Sequence, residues 1–232
     1  MIIRGGINYV DKGMTASLMA MHLQSEVVSI YNENITGFDK IGYQRQDPVV
    51  SSFTEFIGIH GLSKSTEDHV GRIAVSDNPL DIAIAVKGYF QTMDEHGTKI
   101  TRDGRFKLDK DGNLLTILDA KVLSNTGMPI QLPFVPEKIE DIKVNAKGEI
   151  FVFNHNKLKE EYAGTIGVVD TEGRVITRPE IKQGYNEYSN VSLQNEFIGL
   201  MPTIRNFEAN RQMFLIQNQN LQKVINQLGS AN

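Results

Sequence analysis

Apolar residues recur at heptad spacing along the last stretch of the chain, from Phe197 to Leu228. One set is Phe197, Ile204, Arg211, Asn218 and Ile225, and the interleaved set is Leu200, Phe207, Phe214, Leu221 and Leu228. The first stretch carries a shorter seam of Ile7, Val10, Met14, Leu18, Met21, Val28 and Tyr31. This spacing predicts an amphipathic helix at each end, and a heptad repeat buries its stripe only against another helix. Between the ends the period drops to two. Ile82, Ile84 and Val86 alternate with Asp81, Ala83 and Ala85, as in a strand with one larger, more apolar face. The chain therefore reads as α+β, with N- and C-terminal helices pairing as a coiled coil around an inserted β-rich domain and an extended linker. The boundaries are 1–36 plus 186–232 for the helical core, 37–80 for the linker and 81–185 for the β-rich domain.

Local signals sharpen this division. Residues 8–36 contain no proline, and the helix should stop near Asn34-Ile35-Thr36-Gly37, where glycine can adopt the left-handed conformation of a helix end. Segment 37–80 reads as short extended pieces. Glycine turns follow at His96-Gly97, Asp103-Gly104, Asp111-Gly112, Lys147-Gly148 and Glu172-Gly173, and Asp-Gly between apolar runs is a strong hairpin signal. The run GRFKLDKDGNLLTI reads as two strands around one such turn. Pro129, Pro133 and Pro136 mark a loop, since proline cannot donate to a central ladder. Ser189, Asn190 or Ser192 could cap the final helix, which should run to Leu228 and stop at Gly229.

An amphipathic stripe usually packs into the chain's own core. Two features favour assembly with other subunits instead. Arg211 and Asn218 occupy seam positions, where a polar residue costs stability but can fix register and partner number. The final helix also has an amide-rich face of Gln212, Gln217, Gln219, Gln222 and Gln227, which can hydrogen-bond to neighbours without desolvating charge.

Composition narrows the function classes. A chain of 232 residues and net charge −4 has no basic surplus for a nucleic-acid backbone. No cysteine is present, which excludes disulfides, thiolate catalysis and thiolate metal sites. No apolar run reaches the roughly 18 residues of a membrane span, and MIIRGGINYVDKG lacks the features of a cleavable signal peptide.

Candidate chemistry is sparse. Asp109-Lys110-Asp111-Gly112-Asn113 resembles a calcium loop, but its glycine comes two places early and its flanks read as strands, so a hairpin turn is expected. The histidines His22, His60, His69, His96 and His155 show no metal-ligand spacing and read as solvated. Gly61-Leu62-Ser63-Lys64-Ser65 puts serine where a phosphate loop needs glycine. Acidic pairs such as Glu67-Asp68 and Glu160-Glu161 read as surface charge. No catalytic, cofactor or metal residues are assigned.

Three motifs occur in order along the chain. The first is Asn78-Pro79-Leu80-Asp81-Ile82-Ala83-Ile84, closed by Gly88-Tyr89-Phe90. The second is Thr101-Arg102-Asp103-Gly104, followed by Phe106, Leu108-Asp109, Gly112 and Leu114. The third is Gln183-Gly184-Tyr185, Glu187 and Ser189-Asn190-Val191, then a helix with Arg205, Phe207, Glu208 and Asn210. A weaker match near the N-terminus keeps Asn34, Gly42, Tyr43 and Arg45, while Glu33, Gly37 and Lys40 depart. On these motifs the chain resembles the flagellar basal-body rod protein family of FlgF/FlgG type, which includes proximal and distal rod proteins, though the middle domain looks short for a distal one.

The resemblance implies a structural subunit without cofactor. Its terminal helices would pair in an inner layer and its β-rich domain would lie outside. Subunits would stack head-to-tail in a helical tube that transmits torque across the periplasm. They would be exported through the flagellar channel without signal cleavage, which the absence of cysteine suits. Implied partners are the chain itself, other rod and hook proteins, the export apparatus and the ring proteins around the rod, with neither nucleic acid nor direct membrane insertion. The assembly interface would comprise Met14, Leu18, Met21 and Val28 with the C-terminal sets above. A hook-type subunit is one alternative. Another is a soluble β-domain that binds peptidoglycan or another polysaccharide, with the helices as a dimerising handle, although such faces often use tryptophan and the chain has none.

Overall fold

The computed structural model describes residues 6–50 and 62–229, and the side-chain surroundings of 12–49 and 62–229. The architecture is α+β, with two long helices and a β-rich middle of several sheets. The chain clusters into two compact units.

One unit contains α1 (Gly6–Gly37), α2 (Leu193–Gly229) and a two-stranded ribbon of β1 (Gln46–Val50) and β2 (Leu62–Thr66). The ribbon is antiparallel, with Gln46 opposite Thr66 and Val50 opposite Leu62. Both helices end where the sequence reading stops them, at Gly37 and Gly229. Gly37 ends α1 for a different reason than left-handed geometry, since its φ is not positive. It is buried, and a Cβ there would sit 2.6 Å from the Tyr43 ring. α2 continues through Pro202, which supplies no amide to the Ile198 carbonyl one turn earlier. The next residue, Thr203, donates its hydroxyl to the Gly199 carbonyl at 2.9 Å.

The other unit comprises residues 37–45 and 67–191. Its strands are β3 (Ile73–Val75), β4 (Ile82–Ile84), β5 (Tyr89–Asp94), β6 (Gly97–Thr101), β7 (Phe106–Leu108), β8 (Leu114–Thr116), β9 (Lys121–Val122), β10 (Ile142–Val144), β11 (Glu149–Asn154), β12 (Lys159–Thr165), β13 (Val168–Val169), β14 (Ile181–Gln183) and β15 (Tyr185–Glu187). The largest sheet runs β13-β5-β9-β8-β7, with β6 also paired to β5. A three-stranded sheet runs β10-β11-β12, and β4 and β3 pair with β14 and β15. The pairings among these described strands are antiparallel. One apolar core joins Ile82, Ile84, Phe90, Phe106, Val122, Ile150, Val168 and Ile181, and the Phe90 and Phe106 rings meet edge-on at 5.1 Å.

The turn chemistry is mostly where glycine predicted it. Gly97, Gly112, Gly148 and Gly173 all have positive φ. The run around Asp111-Gly112 is a hairpin of β7 and β8. Asp109 closes it by accepting the Asp111 and Asn113 amides at 2.9 and 2.7 Å and the Asn113 side chain at 2.6 Å. These bonds to the ionised form hold the Asp109 carboxyl below its ordinary value. Asp103-Gly104 is not a left-handed turn. Gly104 is required because a Cβ would collide with the Ile82 carbonyl, and its own carbonyl accepts the Ile82 amide at 2.9 Å. β4 also differs from a half-exposed strand: Ile82, Ala83 and Ile84 are all buried, so alternation in residue size did not report exposure.

Candidate assembly interface

The helical unit is held by contacts that run in opposite directions along α1 and α2. Asn34 donates to Glu196 at 2.8 Å, and Asn210 donates to Gln24 at 3.3 Å. Between these, a Cβ on Gly199 would collide with the Tyr31 hydroxyl. Further on, a Cβ on Gly13 would lie 2.7 Å from Gln217 Nε2. The two glycines thus let the helices approach where a tyrosine and a glutamine fill the space.

These contacts divide the two sequence-derived sets of α2. Leu200 is buried, and Phe207, Phe214 and Leu221 are half-buried at seven-residue intervals. The row beside them in the heptad is polar: Glu196 is fully buried, and Thr203, Asn210 and Gln217 are half-buried. The other apolar set stays outside. Phe197 is 50% exposed, Ile204 38% and Ile225 62%, with Arg211 also exposed and Asn218 half-buried, while Leu228, the last member of the inward set, is exposed as well. Ile198, Met201, Leu215, Ile216 and Val224 add to the exposed apolar surface. On α1, Ser17, Ile30 and Asn34 are buried, Met14, Met21, Val28 and Tyr31 are half-buried, and Leu18 is exposed. The side chains of Ile7 and Val10 lie outside the described residues, as does His60. Glu196 and Thr203 escape a search for apolar heptads because they keep the seven-residue spacing but are polar.

The motif residues form a second layer of organisation, made largely of carboxamides that pair with backbone. In the helical unit, Asn34 Nδ2 donates to the Gln46 carbonyl at 2.8 Å while Oδ1 accepts the Gln46 amide at 2.9 Å. The side chain therefore replaces a strand partner for β1. In the β-rich unit, Gln183 Oε1 accepts the Val144 amide at 2.9 Å, and Nε2 donates to the carbonyls of Pro79 and Ile142 at 3.0 and 2.7 Å. Asn190 accepts the Arg45 amide at 2.7 Å and donates to the carbonyls of Glu67 and His69, each at 3.1 Å.

Ionised groups complete the network. Asp81 accepts from Ser76, Asn78 and Asn186 at 2.5, 3.0 and 2.7 Å, and Leu80 is positioned by its amide bond to Asn78 Oδ1. Arg102, 3% exposed, pairs with the fully buried Glu187. Its guanidinium also donates to the carbonyls of Ile84, Val86 and Gly88 at 2.9, 2.8 and 2.6 Å. Glu187 in turn accepts the Gly71 amide at 2.9 Å. A cation with several carbonyl acceptors offsets the desolvation that an isolated buried ion pair would suffer.

The remaining motif positions are steric. Gly42 has φ +70, and a Cβ there would strike the Asp103 backbone. Gly88, at φ +146, leaves room for Ile176 and Val168, and Gly184 has φ +74. Phe90 and Leu80 enter the core. Val191 is buried, with its amide donating to Ser189 Oγ at 3.1 Å.

Among the described residues, chemistry-bearing side chains do not converge into a reactive constellation. His155 faces Asp141 at 3.1 Å and His69 faces Glu67 at 3.3 Å, both largely exposed. No group of three or more metal-ligating side chains occurs among the described residues.

Residues 83–152 match the model described as flagellar hook protein FlgE/F/G D1 domain, and residues 182–228 match that described as flagellar basal body rod FlgEFG protein C-terminal. The chain is 29% identical to the flagellar basal-body rod protein FlgF of Mesorhizobium japonicum, over 82% of this chain and 85% of the relative. It is 28% identical to FlgF of Rhizobium meliloti, over 96% and 100%. It is 25% identical to the flagellar basal-body rod protein FlgG of Bacillus subtilis, over 85% and 90%.

Proposed function

We infer that this chain, which belongs to the flagellar basal-body rod protein family and is a structural rod subunit, assembles through the apolar row of α2 that its own fold leaves uncovered. The carrying observation is the division of the C-terminal heptad. One row, Leu200-Phe207-Phe214-Leu221, is drawn inward, while Phe197, Ile204 and Ile225 remain exposed. Exposed apolar residues aligned along a 37-residue helix are a liability for an isolated chain and mark an interaction surface.

In this reading α1 and α2 pair as an antiparallel coiled coil in the inner layer of a helical tube. Residues 1–36 and 186–232 form that layer, 37–80 serve as a linker and 81–185 form an outer domain. The contacts of Asn34, Tyr31, Gln24 and Gly13 with α2 support the pairing. Met14, Leu18, Met21 and Val28 would add the α1 side of the interface. Subunits meet head-to-tail with copies of themselves and with other rod and hook proteins, inside the surrounding rings. The tube transmits torque across the periplasm, and its subunits arrive through the flagellar export apparatus without signal cleavage. Among the described residues no helix is long and apolar enough to cross a membrane. The family role is structural rather than enzymatic.

Immunogold labelling of purified hook–basal bodies tests the reading. Label on the rod supports it. Label on the hook assigns the chain to a hook-type subunit, and absence from the particle with recovery in a wall-bound fraction favours a polysaccharide-binding role.

A further inference from the structure

The loop after β9 and the end of β12 enclose a groove of about 280 Å³ in the β-rich unit. Its ten lining residues include no Asp, Glu, Lys, Arg or His, although 22% of the chain is charged. Its polar lining consists of hydroxyls and carboxamides beside Pro129, Ile130, Ala163 and Gly164, with Ser124 Oγ accepting the Thr126 and Met128 amides, each at 3.3 Å. Ser124 and Thr126 hydroxyls bond to each other at 2.8 Å. Gln131 donates its amide to the Asp111 carbonyl at 3.0 Å, which holds the side chain and leaves its oxygen as an acceptor. The aromatic wall is Tyr162. Its ring meets Phe151 edge-on at 5.8 Å and its hydroxyl bonds to Thr165 Oγ1 at 2.8 Å, yet the residue is 58% exposed. A ring fixed by two contacts and still open to solvent is a preorganised stacking surface.

We propose that this groove binds one uncharged sugar ring of a glycan chain. A pyranose has an apolar C–H face that stacks on an aromatic ring and a rim of hydroxyls that donate and accept. The Thr126 hydroxyl and the Asn125 and Gln131 carboxamides match that rim, since a hydroxyl or a carboxamide can both donate and accept. An ionic ligand would be desolvated without a counter-charge, and a purely apolar one would leave the polar walls unpaired. The groove lies apart from the helical interface residues in sequence and unit, so its occupancy does not depend on the rod reading.

The test is an NMR titration of the ¹⁵N-labelled full chain with three trisaccharides: N-acetylglucosamine trimer, maltotriose, and galacturonic acid trimer as the charged control. The expected result is saturable shifts of Asn125, Thr126, Gln131, Gly164 and Thr165 with at least one neutral sugar, and binding of the acidic sugar at least roughly tenfold weaker. Tyr162→Ala should weaken binding about tenfold, and Tyr162→Phe, which keeps the ring, about threefold. Gln131→Ala provides a second variant that leaves the apolar core alone, with a loss of about fivefold. Absence of saturation with both neutral sugars, shifts confined to other surfaces, equal binding of the acidic sugar, or unchanged affinity in Tyr162→Ala and Gln131→Ala would each overturn the proposal.

Discussion

Asn34 and Glu196, separated by 162 positions in sequence, are joined by a 2.8 Å hydrogen bond from the carboxamide nitrogen to the carboxylate. The same carboxamide pairs with both backbone groups of Gln46, so one side chain ties α1 to α2 and to the start of β1. Few side chains could do this. The role needs two donors and an acceptor in one plane, and only asparagine supplies them at this length.

Asn34→Asp should therefore destabilise the helical unit by about 2–4 kcal/mol. It removes both donors and sets a carboxylate against the Gln46 carbonyl and the Glu196 carboxylate. Urea denaturation followed by helical circular dichroism measures this, and a change under about 0.5 kcal/mol would remove Asn34 from its assigned role.

Gly199→Ala should cost about 1–3 kcal/mol, because the added methyl meets the Tyr31 ring. Pairing it with Tyr31→Ala should restore part of that loss. A double-mutant cycle on thermal unfolding reads the coupling, and strict additivity would show that the two residues do not meet.

The two rows of α2 should respond differently to charge. Phe197→Asp, at a 50% exposed position, should leave monomer stability within about 0.5 kcal/mol while abolishing assembly. Phe207→Asp and Leu221→Asp should also block assembly, but by loosening the helical unit by about 2–4 kcal/mol with the β-rich unit still folded. Sedimentation, circular dichroism and a swimming assay separate these cases. Normal swimming of Phe197→Asp cells would move the interface elsewhere.

Arg102→Met should cost about 3–5 kcal/mol by stranding the Glu187 carboxylate in the core. Arg102→Met combined with Glu187→Leu should recover much of it, since replacing both charges removes the desolvation as well as the attraction. Denaturant midpoints of the single and double variants decide this; a double variant no better than the single one argues that the carbonyl bonds of Arg102, rather than the ion pair, dominate.

Acid should loosen the aspartate-closed turns late. Bonds from Asn113 to Asp109, and from Arg174 to Asp170, hold both carboxyls below the ordinary 3.8. Because the folded values are depressed, their contribution is present above pH 3.8 and is lost as pH falls through the lowered values. The amides of Asp111 and Glu172 should titrate by NMR with midpoints below 3.8, and midpoints at or above it would contradict the turn assignment.

What the sequence determined by itself is local. Heptad spacing set the two helices, and Asp-Gly placed the hairpin of β7 and β8, because both signals act between near neighbours in the chain. The motif residues were legible as a family pattern, but their work was not. That Gln183 bridges Pro79, Ile142 and Val144 depends on three distant segments meeting at one amide. Likewise, periodicity gave two apolar rows on α2 and no reason to choose between them. The tertiary structure chose, because Tyr31 needs the space at Gly199 and Asn34 needs the carboxylate of Glu196. Those two contacts fix the rotation of the helix, turning Leu200 inward and leaving Phe197 exposed.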